Sequence, residues 1–434
     1  MLSKLAPYLD ASGRELVRDA ATALTLRVVG TVLAVSFSLG VARVLGVEGA
    51  GLYYSSIAVV MMSSSIARMG LDNAILRLVA VDISRKEWGK VNRIVRSGLG
   101  ASSLLSLAIC ATILLVADPV ARLIFSEPDL AGPLRITSLG IFTFSLMTLV
   151  SQTLKGASRI QDALLVASVF WPFFGLIMIW PLGHSYGAAG VCATYVIATA
   201  SATLIGWIMW RKVREPDAPD TEPPLDLWQA ARPLWAMSII SLGVLPWMPL
   251  LLLGFWGETR DTGILGIAGR LTALVSFSLM AINNMLGPKF AVLYAEGKID
   301  SLKRIARRFA LVNVMIAIPA IAILVLFGDK VLALFGEDFI AGRPAMAILT
   351  LGQAVNCVTG SVGIMLMMSG NERAVRNSAL CAAAVVILMS LLLIPPYGLI
   401  GAATASASAL ITMNLFSMFV VYRKLGFVIY PWIR

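Results

Sequence analysis

Charge is what this chain has little of. Asp, Glu, Lys and Arg make up 14% of its 434 residues, against about 25% in soluble proteins. Hydrophobic residues reach 58%. That balance excludes a water-soluble globular fold and describes an all-α polytopic membrane protein. Histidine occurs once, as His184, beside the turn Pro181-Leu182-Gly183, where it reads as a loop residue. The four cysteines, Cys110, Cys192, Cys357 and Cys381, all fall in apolar segments without Cys-x-x-Cys or Cys/His spacing, so they read as packing residues. A metal centre, a histidine-activated nucleophile and a bound cofactor are therefore not expected. No Gly-x-x-x-x-Gly-Lys-Ser/Thr loop occurs, which excludes ATP hydrolysis by this chain.

Acids are scarcer than bases, 24 against 35, for a formal net charge of +11. A nucleic-acid partner would need those bases gathered into one patch. Here they alternate with apolar runs, as loops do under the positive-inside rule. Spanning helices are predicted near 20–45, 49–69, 97–117, 132–154, 163–182 and 187–210. A second set is predicted near 233–256, 263–287, 309–328, 343–368, 377–394 and 398–421. With both ends cytoplasmic, 27 of the 35 basic residues fall on the inner side and six outside, leaving Arg27 and Arg270 within spans. Residues 1–19 carry Leu2, Leu5, Leu9 and Leu16 at helical spacing with interleaved charge, which predicts a short interfacial helix rather than a cleavable signal.

The chain divides into a first lobe (1–210), a solvated Pro- and acid-rich linker (211–232) and a second lobe (233–434). The lobes repeat one another. Tyr186-Gly187-Ala188-Ala189-Gly190 matches Tyr397-Gly398-Leu399-Ile400-Gly401 at an offset of 211. Gly51-Leu52-Tyr53 matches Gly263-Ile264-Leu265, Leu139-Gly140 matches Leu351-Gly352, and Arg77 matches Lys289, each at 212. Six helices per repeat start both halves on the same face, so the relating axis runs along the membrane normal, as in alternating-access carriers. Neither intramembrane arginine is repeated, because the shifted positions hold Ile239 and Ala58.

Residues 266–298 carry the strongest functional signal. Arg270 lies inside an apolar run, where a charge costs roughly 2.5–3.5 kcal/mol on insertion scales and so faces a partner or a wet cavity. On a continuous helix Arg270, Phe277 and Asn284 share one stripe, and Gly287-Pro288 ends the helix. Arg27, Thr31 and Ser38 form a comparable stripe on the first helix; Gln353, Asn356, Gly360 and Gly363 form one on the tenth. Each has a plainer reading. Arg27 and Arg270 lie within snorkelling reach of opposite membrane faces. Asn283 and Asn284 can bond neighbouring helices, and Gly360 and Gly363 can serve close packing. Asp72 and Arg77 read as a pair organising an inner gate.

Three strings carry a family resemblance: GLDNAILRLVA (70–80), GRLTALVSFSLMAINNMLGPKFAVLYAEGK (269–298), and LFGEDFIAGRPAMAILTLGQAVNCVTGSVGIMLMMSGNERAVRN (334–377), the last followed by LLLIPPYGLIGAA. They resemble the polysaccharide flippase branch of the multidrug/oligosaccharidyl-lipid/polysaccharide exporter superfamily, over nearly the whole chain. The resemblance implies twelve helices in two six-helix lobes forming a V around a central cavity. It implies a non-enzymatic flippase that moves a polyprenyl-diphosphate-linked oligosaccharide from the inner to the outer leaflet of the bacterial plasma membrane. Membrane lipids, a polysaccharide polymerase and glycosyltransferases are the implied companions. Candidate cavity residues are Arg27, Thr31, Arg270, Asn284, Gln353 and Asn356; candidate inner-gate residues are Asp72, Asn73, Arg77, Met285 and Lys289. The alternatives are a cation-coupled multidrug exporter, which usually needs a carboxylate deep in a lobe, and a major-facilitator carrier, whose G-x-x-x-D-R-x-G-R-[KR] loop is missing from 70–90. A membrane glycosyltransferase or polymerase needs a large external loop, and the external loops here are short.

Overall fold

A computed structural model describes residues 11–215 and 227–429, with side chains described from residue 22 onward except that of Asn284. Among the described residues the chain is helical, without strands. Residues 1–10 of the proposed interfacial helix and residues 216–226, half of the proposed linker, lie outside what is described; residues 11–19 begin the long helix Ala11–Ala67. Among the described residues eight helices are long and apolar enough to cross a membrane, or nine when the bent pair Glu337–Thr359 and Val362–Met368 counts as one span. The protein is a multi-pass membrane protein.

Three of those helices are far longer than the ~20 residues a bilayer needs: Thr22–Ala67, Ile160–Val213 and Glu372–Leu425, of 46, 54 and 54 residues. Each is two rods joined at a glycine. Gly46 (φ 67°, ψ −171°) divides α1 (Ala11–Ala67), Gly187 (φ 57°, ψ −138°) divides α6 (Trp171–Val213), and Gly398 (φ 49°, ψ −122°) divides α15 (Glu372–Leu425). That conformation is open only to glycine at little cost. Opened at these glycines, the helices accommodate the twelve crossings expected, although length and apolarity alone count eight or nine.

The other ends of the helices carry a second recurring turn. Lys86, Ser158, Gly297 and Gly370 adopt φ of 59°, 61°, 68° and 72°. In each case the next amide reaches back five residues: Glu87 to the Asp82 carbonyl, Arg159 to Leu154, Lys298 to Leu293 and Asn371 to Leu366, all at 2.9 Å. These are Schellman closures, which satisfy carbonyls otherwise orphaned at a helix end. They separate α2 (Leu71–Ser84) from α3 (Trp88–Pro119), α4 (Ala131–Gly156) from α5 (Ile160–Leu164), α10 (Phe277–Ala295) from α11 (Ile299–Leu326), and α14 (Val362–Met368) from α15. Lys86 and Gly297 are 211 residues apart, Ser158 and Gly370 are 212 apart, and Gly187 and Gly398 are 211 apart. The internal repeat read from short sequence matches is thus also a repeat of backbone conformation.

Contacts divide the chain into two compact units. The first comprises the described residues up to Val44, Val60–Val120 and Asp129–Ile239; the second comprises Leu45–Val59, Ala121–Pro128 and the described residues from Ile240 onward. In the first, Leu71, Ile75, Val91, Leu149, Leu154 and Trp210 form a buried cluster that also takes Leu227 and Ala231 from α7 (Leu227–Ser238). In the second, Leu286, Phe290, Leu302, Met365 and Val421 do the same. There the chain turns back after Gly426, burying Phe427 and Ile429 while Arg307 donates through Nε and Nη2 to the Val428 carbonyl, both at 3.1 Å.

Four expectations need correction. His184 lies within α6, an exposed helical residue whose ring centroid is 5.5 Å from that of Trp180, because Pro181 is accommodated inside the helix. Gly287-Pro288 does not end its helix, since α10 continues to Ala295 with Pro288 inside. Such prolines are tolerated in spanning helices, where neighbouring groups take up the freed carbonyl. The stripe from Arg270 to Asn284 is interrupted: α9 (Thr259–Ala273) gives way to a 3-10 turn at Leu274–Ser276 before α10 begins. The tighter turn shifts the register of everything after it. The stripe on the tenth helix is interrupted too. Gly360 (φ 65°) closes α13 (Arg343–Thr359), and Gly363 lies beyond a 44° bend in α14 with open space beside it.

Candidate functional site: a cavity in the second unit

Arg270 opens onto a cavity of about 420 Å³ built wholly within the second unit. Two helices supply its charged and amide groups. From α9 come Thr272 and Arg270; from α13 comes Gln353. Ser406 of α15 and Ser241 add hydroxyls, and Tyr54, Trp247, Leu245, Leu349, Leu410 and Met413 add ring and apolar surface. The α9 face exists because its glycines let neighbours approach. A Cβ on Gly266 would stand 2.5 Å from Cγ of Tyr54, so the Tyr54 ring lies flat on the bare backbone there. Around Gly269, beside Arg270, a Cβ would meet nothing within 4 Å, and the wall stays open.

Among the described residues no lining residue is acidic and no carboxylate pairs with Arg270. Its guanidinium instead lies 5.9 Å from the ring centroid of Trp247. Below it, the 3-10 turn is held by a polar network. Ser276 donates to the Gln353 amide oxygen, and Asn356 donates to Ser276 Oγ at 2.9 Å. Ser278 donates to Asn313 Oδ1 at 2.8 Å, and Asn313 donates to the Cys357 carbonyl at 3.0 Å. Asn313 is fully buried. Such mutually satisfied bonds fix the break in the helix where the hydrocarbon supplies no water.

The structure thus brings Arg270 and Gln353 to one cavity, with Asn356 bonded into its supporting network. Arg27 and Thr31 belong to the first unit, both half-buried, and the Thr31 hydroxyl donates to the Arg27 carbonyl at 2.8 Å. Ser38, buried, likewise returns its hydroxyl to the Ala34 carbonyl. Of the gate candidates, Asn73, Arg77 and Lys289 are exposed, and Met285 is 56% exposed. Asp72 does not pair with Arg77. It pairs with Arg68 at 2.8 Å, their side chains 3% and 4% exposed, with the Arg68 guanidinium 5.5 Å from the Phe144 ring centroid. The reason is a left-handed turn at Met69 and Gly70 (φ 50° and 76°) that folds one turn back on the other. At Gly70 a Cβ would strike the Trp235 amide nitrogen at 2.6 Å. Tyr54, Trp247, Ser276 and Asn313 are additions that sequence reasoning does not supply. Only Asn313 has a legible signal, a single amide within Leu311-Val312-Asn313-Val314-Met315.

Comparison with known proteins places this fold. The chain superposes on the inward-facing conformation of a multidrug resistance MATE family transporter of the MOP superfamily with a TM-score of 0.74, covering 94% of this chain and 98% of that one at 15% identity. It superposes on the lipid II flippase MurJ in an inward closed conformation with a TM-score of 0.72, covering 90% and 85% at 15% identity. By sequence it is 25% identical over 417 residues to the probable flippase AglR of Haloferax volcanii, covering 94% of this chain and 83% of that one. Residues 16–293, well over half of the chain, match the family described as polysaccharide biosynthesis protein, and the chain belongs to that family.

Proposed function

We propose that this protein is a flippase for a lipid-linked oligosaccharide, and that the diphosphate linking sugar to lipid is held at Arg270. The observation carrying this reading is the cavity in which Arg270 is the one charged lining residue. A sugar diphosphate cannot cross hydrocarbon without losing the hydrogen bonds of its hydroxyls and oxyanions. The guanidinium fork supplies two parallel N–H donors to phosphate, while Gln353, Thr272, Ser241 and Ser406 offer neutral partners to hydroxyls. The absence of a carboxylate from the lining argues against cation-coupled drug export through this cavity. In this reading transport runs from the inner to the outer leaflet of a bacterial plasma membrane, with both termini cytoplasmic. The two lobes follow the boundaries 1–210 and 233–434, with a polymerase and glycosyltransferases acting on the same substrate. Arg27 and Thr31 contribute from the first lobe. Asp72, Asn73, Arg77, Met285 and Lys289 line the inner gate.

The test is transport by Arg270 variants at matched membrane abundance. Arg270→Ala is expected to reduce flipping at least tenfold, with lipid-linked oligosaccharide accumulating in the inner leaflet. Arg270→Lys is expected to recover part of it, because a point charge keeps attraction but loses the fork. Full activity of the alanine variant sinks the reading.

A further inference from the structure

We propose that Trp247 is the positioning residue for Arg270, presenting the guanidinium to an anionic ligand with its charge intact; this rests on Arg270 being the anion-binding residue. A cation in a low-dielectric wall needs compensation. An acidic partner would supply it, but would also neutralise the charge and occupy the N–H donors that an anion must use. An aromatic face supplies attraction without either consequence. The ring's quadrupole attracts the cation, while a guanidinium resting on a π-face keeps its five donors directed outward in its own plane. In this cavity the two groups meet. The guanidinium lies 5.9 Å from the Trp247 ring centroid, both residues line the same space, and no lining residue is acidic.

The chain around Trp247 is built to aim it. Trp247 sits in the first turn of α8 (Leu245–Trp256), between Pro246 and Pro249. Immediately before it, Ile239–Val244 forms a π-helical turn. A π turn inserts a residue into the helix and so rotates the downstream residues by about 100°. Without that insertion the residue at 247 would face another direction. Pro246 and Pro249 each fix φ near −65° and so limit backbone drift beneath the indole. Ser241, within the π turn, lines the same cavity. The unusual backbone of this span therefore serves one side of the cavity, the side on which the indole meets the guanidinium.

A positioning role predicts that ligand affinity depends on the strength of the ring's π-face and not merely its bulk. The experiment replaces Trp247 alone, by nonsense suppression in the full-length chain, with mono-, di- and trifluorinated tryptophan. These rings are nearly isosteric and progressively poorer in π-electron density. Trp247→Phe and Trp247→Leu extend the series. Binding of farnesyl diphosphate, a short polyprenyl diphosphate used as the probe, is measured on purified protein at fixed low salt, together with thermal unfolding. The expected result is a Kd that rises stepwise along the fluorinated series, reaching about three- to tenfold at trifluorotryptophan and at leucine, with phenylalanine between. Thermal stability should stay constant across the fluorinated proteins. A Kd that is flat along the series while Arg270→Ala abolishes probe binding overturns the role of Trp247 and leaves the anion site standing. If Arg270→Ala binds the probe like the unmodified protein, the anion site itself falls, and the role of Trp247 falls with it.

Discussion

Gly51 and Gly263 test how tightly the repeat is drawn together. They are equivalent positions, 212 residues apart, and each faces the other's helix within the second unit. A Cβ on Gly51 would lie 2.7 Å from the Thr259 carbonyl carbon and 2.8 Å from its Cγ2; a Cβ on Gly263 would lie 2.9 Å from the Gly51 nitrogen. Ordinary carbon contacts lie near 3.5–4.0 Å, so Gly51→Ala must part the two helices by about 1 Å. Alanine gains about 1 kcal/mol over glycine in helix propensity, and overpacking costs about 1–3 kcal/mol. Most of the obstructing atoms are backbone, which no rotamer change can move aside, so the cost belongs at the upper end. Gly51→Ala should therefore destabilise by about 1–2 kcal/mol net. Gly269→Ala, in the same helix α9 as Gly263, meets nothing within 4 Å and should stabilise by up to about 1 kcal/mol. Reversible or scan-rate-matched thermal unfolding in one detergent compares the two directly. Equal shifts of the same sign, or a Gly51→Ala protein as stable as the parent, would refute the close crossing.

Two further outcomes are expected. Asp72→Ala leaves Arg68 as a buried unpaired cation and should cost about 3–5 kcal/mol, most of it recovered in an Arg68→Met/Asp72→Leu double variant; Arg77→Ala, at an exposed position, should change stability by less than about 0.5 kcal/mol, all read by thermal unfolding. A cysteine pair at Asn73 and Met285, related by the same offset of 212, should cross-link only in the outward-facing state and stop transport until reduced; transport by the linked protein would remove these residues from the inner gate.

The parts of the molecule legible in the sequence are those set by composition and local rules. A span is long and apolar by necessity, so the helices are readable, and the turn at Gly187 and its mate Gly398 announce themselves as Tyr-Gly-x-x-Gly. Arg270 is legible because a charge has few uses within hydrocarbon. Trp247 and Tyr54 are not, since an aromatic in an apolar run looks the same whether it faces lipid or a cavity. Pairing Asp72 with the wrong arginine has a different origin. Asp72 and Arg77 share the regular helix α2, where five residues turn by about 140° and leave one buried and the other exposed; the left-handed pair Met69 and Gly70 brings Arg68 to Asp72 instead.

Helix breaks underlie the interrupted stripes, and they separate scaffold from site. Counting along a sequence holds only while the helix holds. The Schellman turns at Lys86 and Gly297, and at Ser158 and Gly370, keep the repeat register within one residue. The breaks do not. Met69-Gly70 distorts the first half, while the 3-10 turn at Leu274–Ser276 and the bend at Gly360 distort the second, and neither set has a mate at the shifted position. Beside these breaks Ser276, Gln353 and Asn356 bond one another through their side chains, and Asn313 donates to the Cys357 carbonyl near the bend. Arg270 stands one turn before the 3-10 break. A symmetric frame repeats its walls; the unrepeated break beside the unrepeated charge is what the proposed anion site adds to one of them.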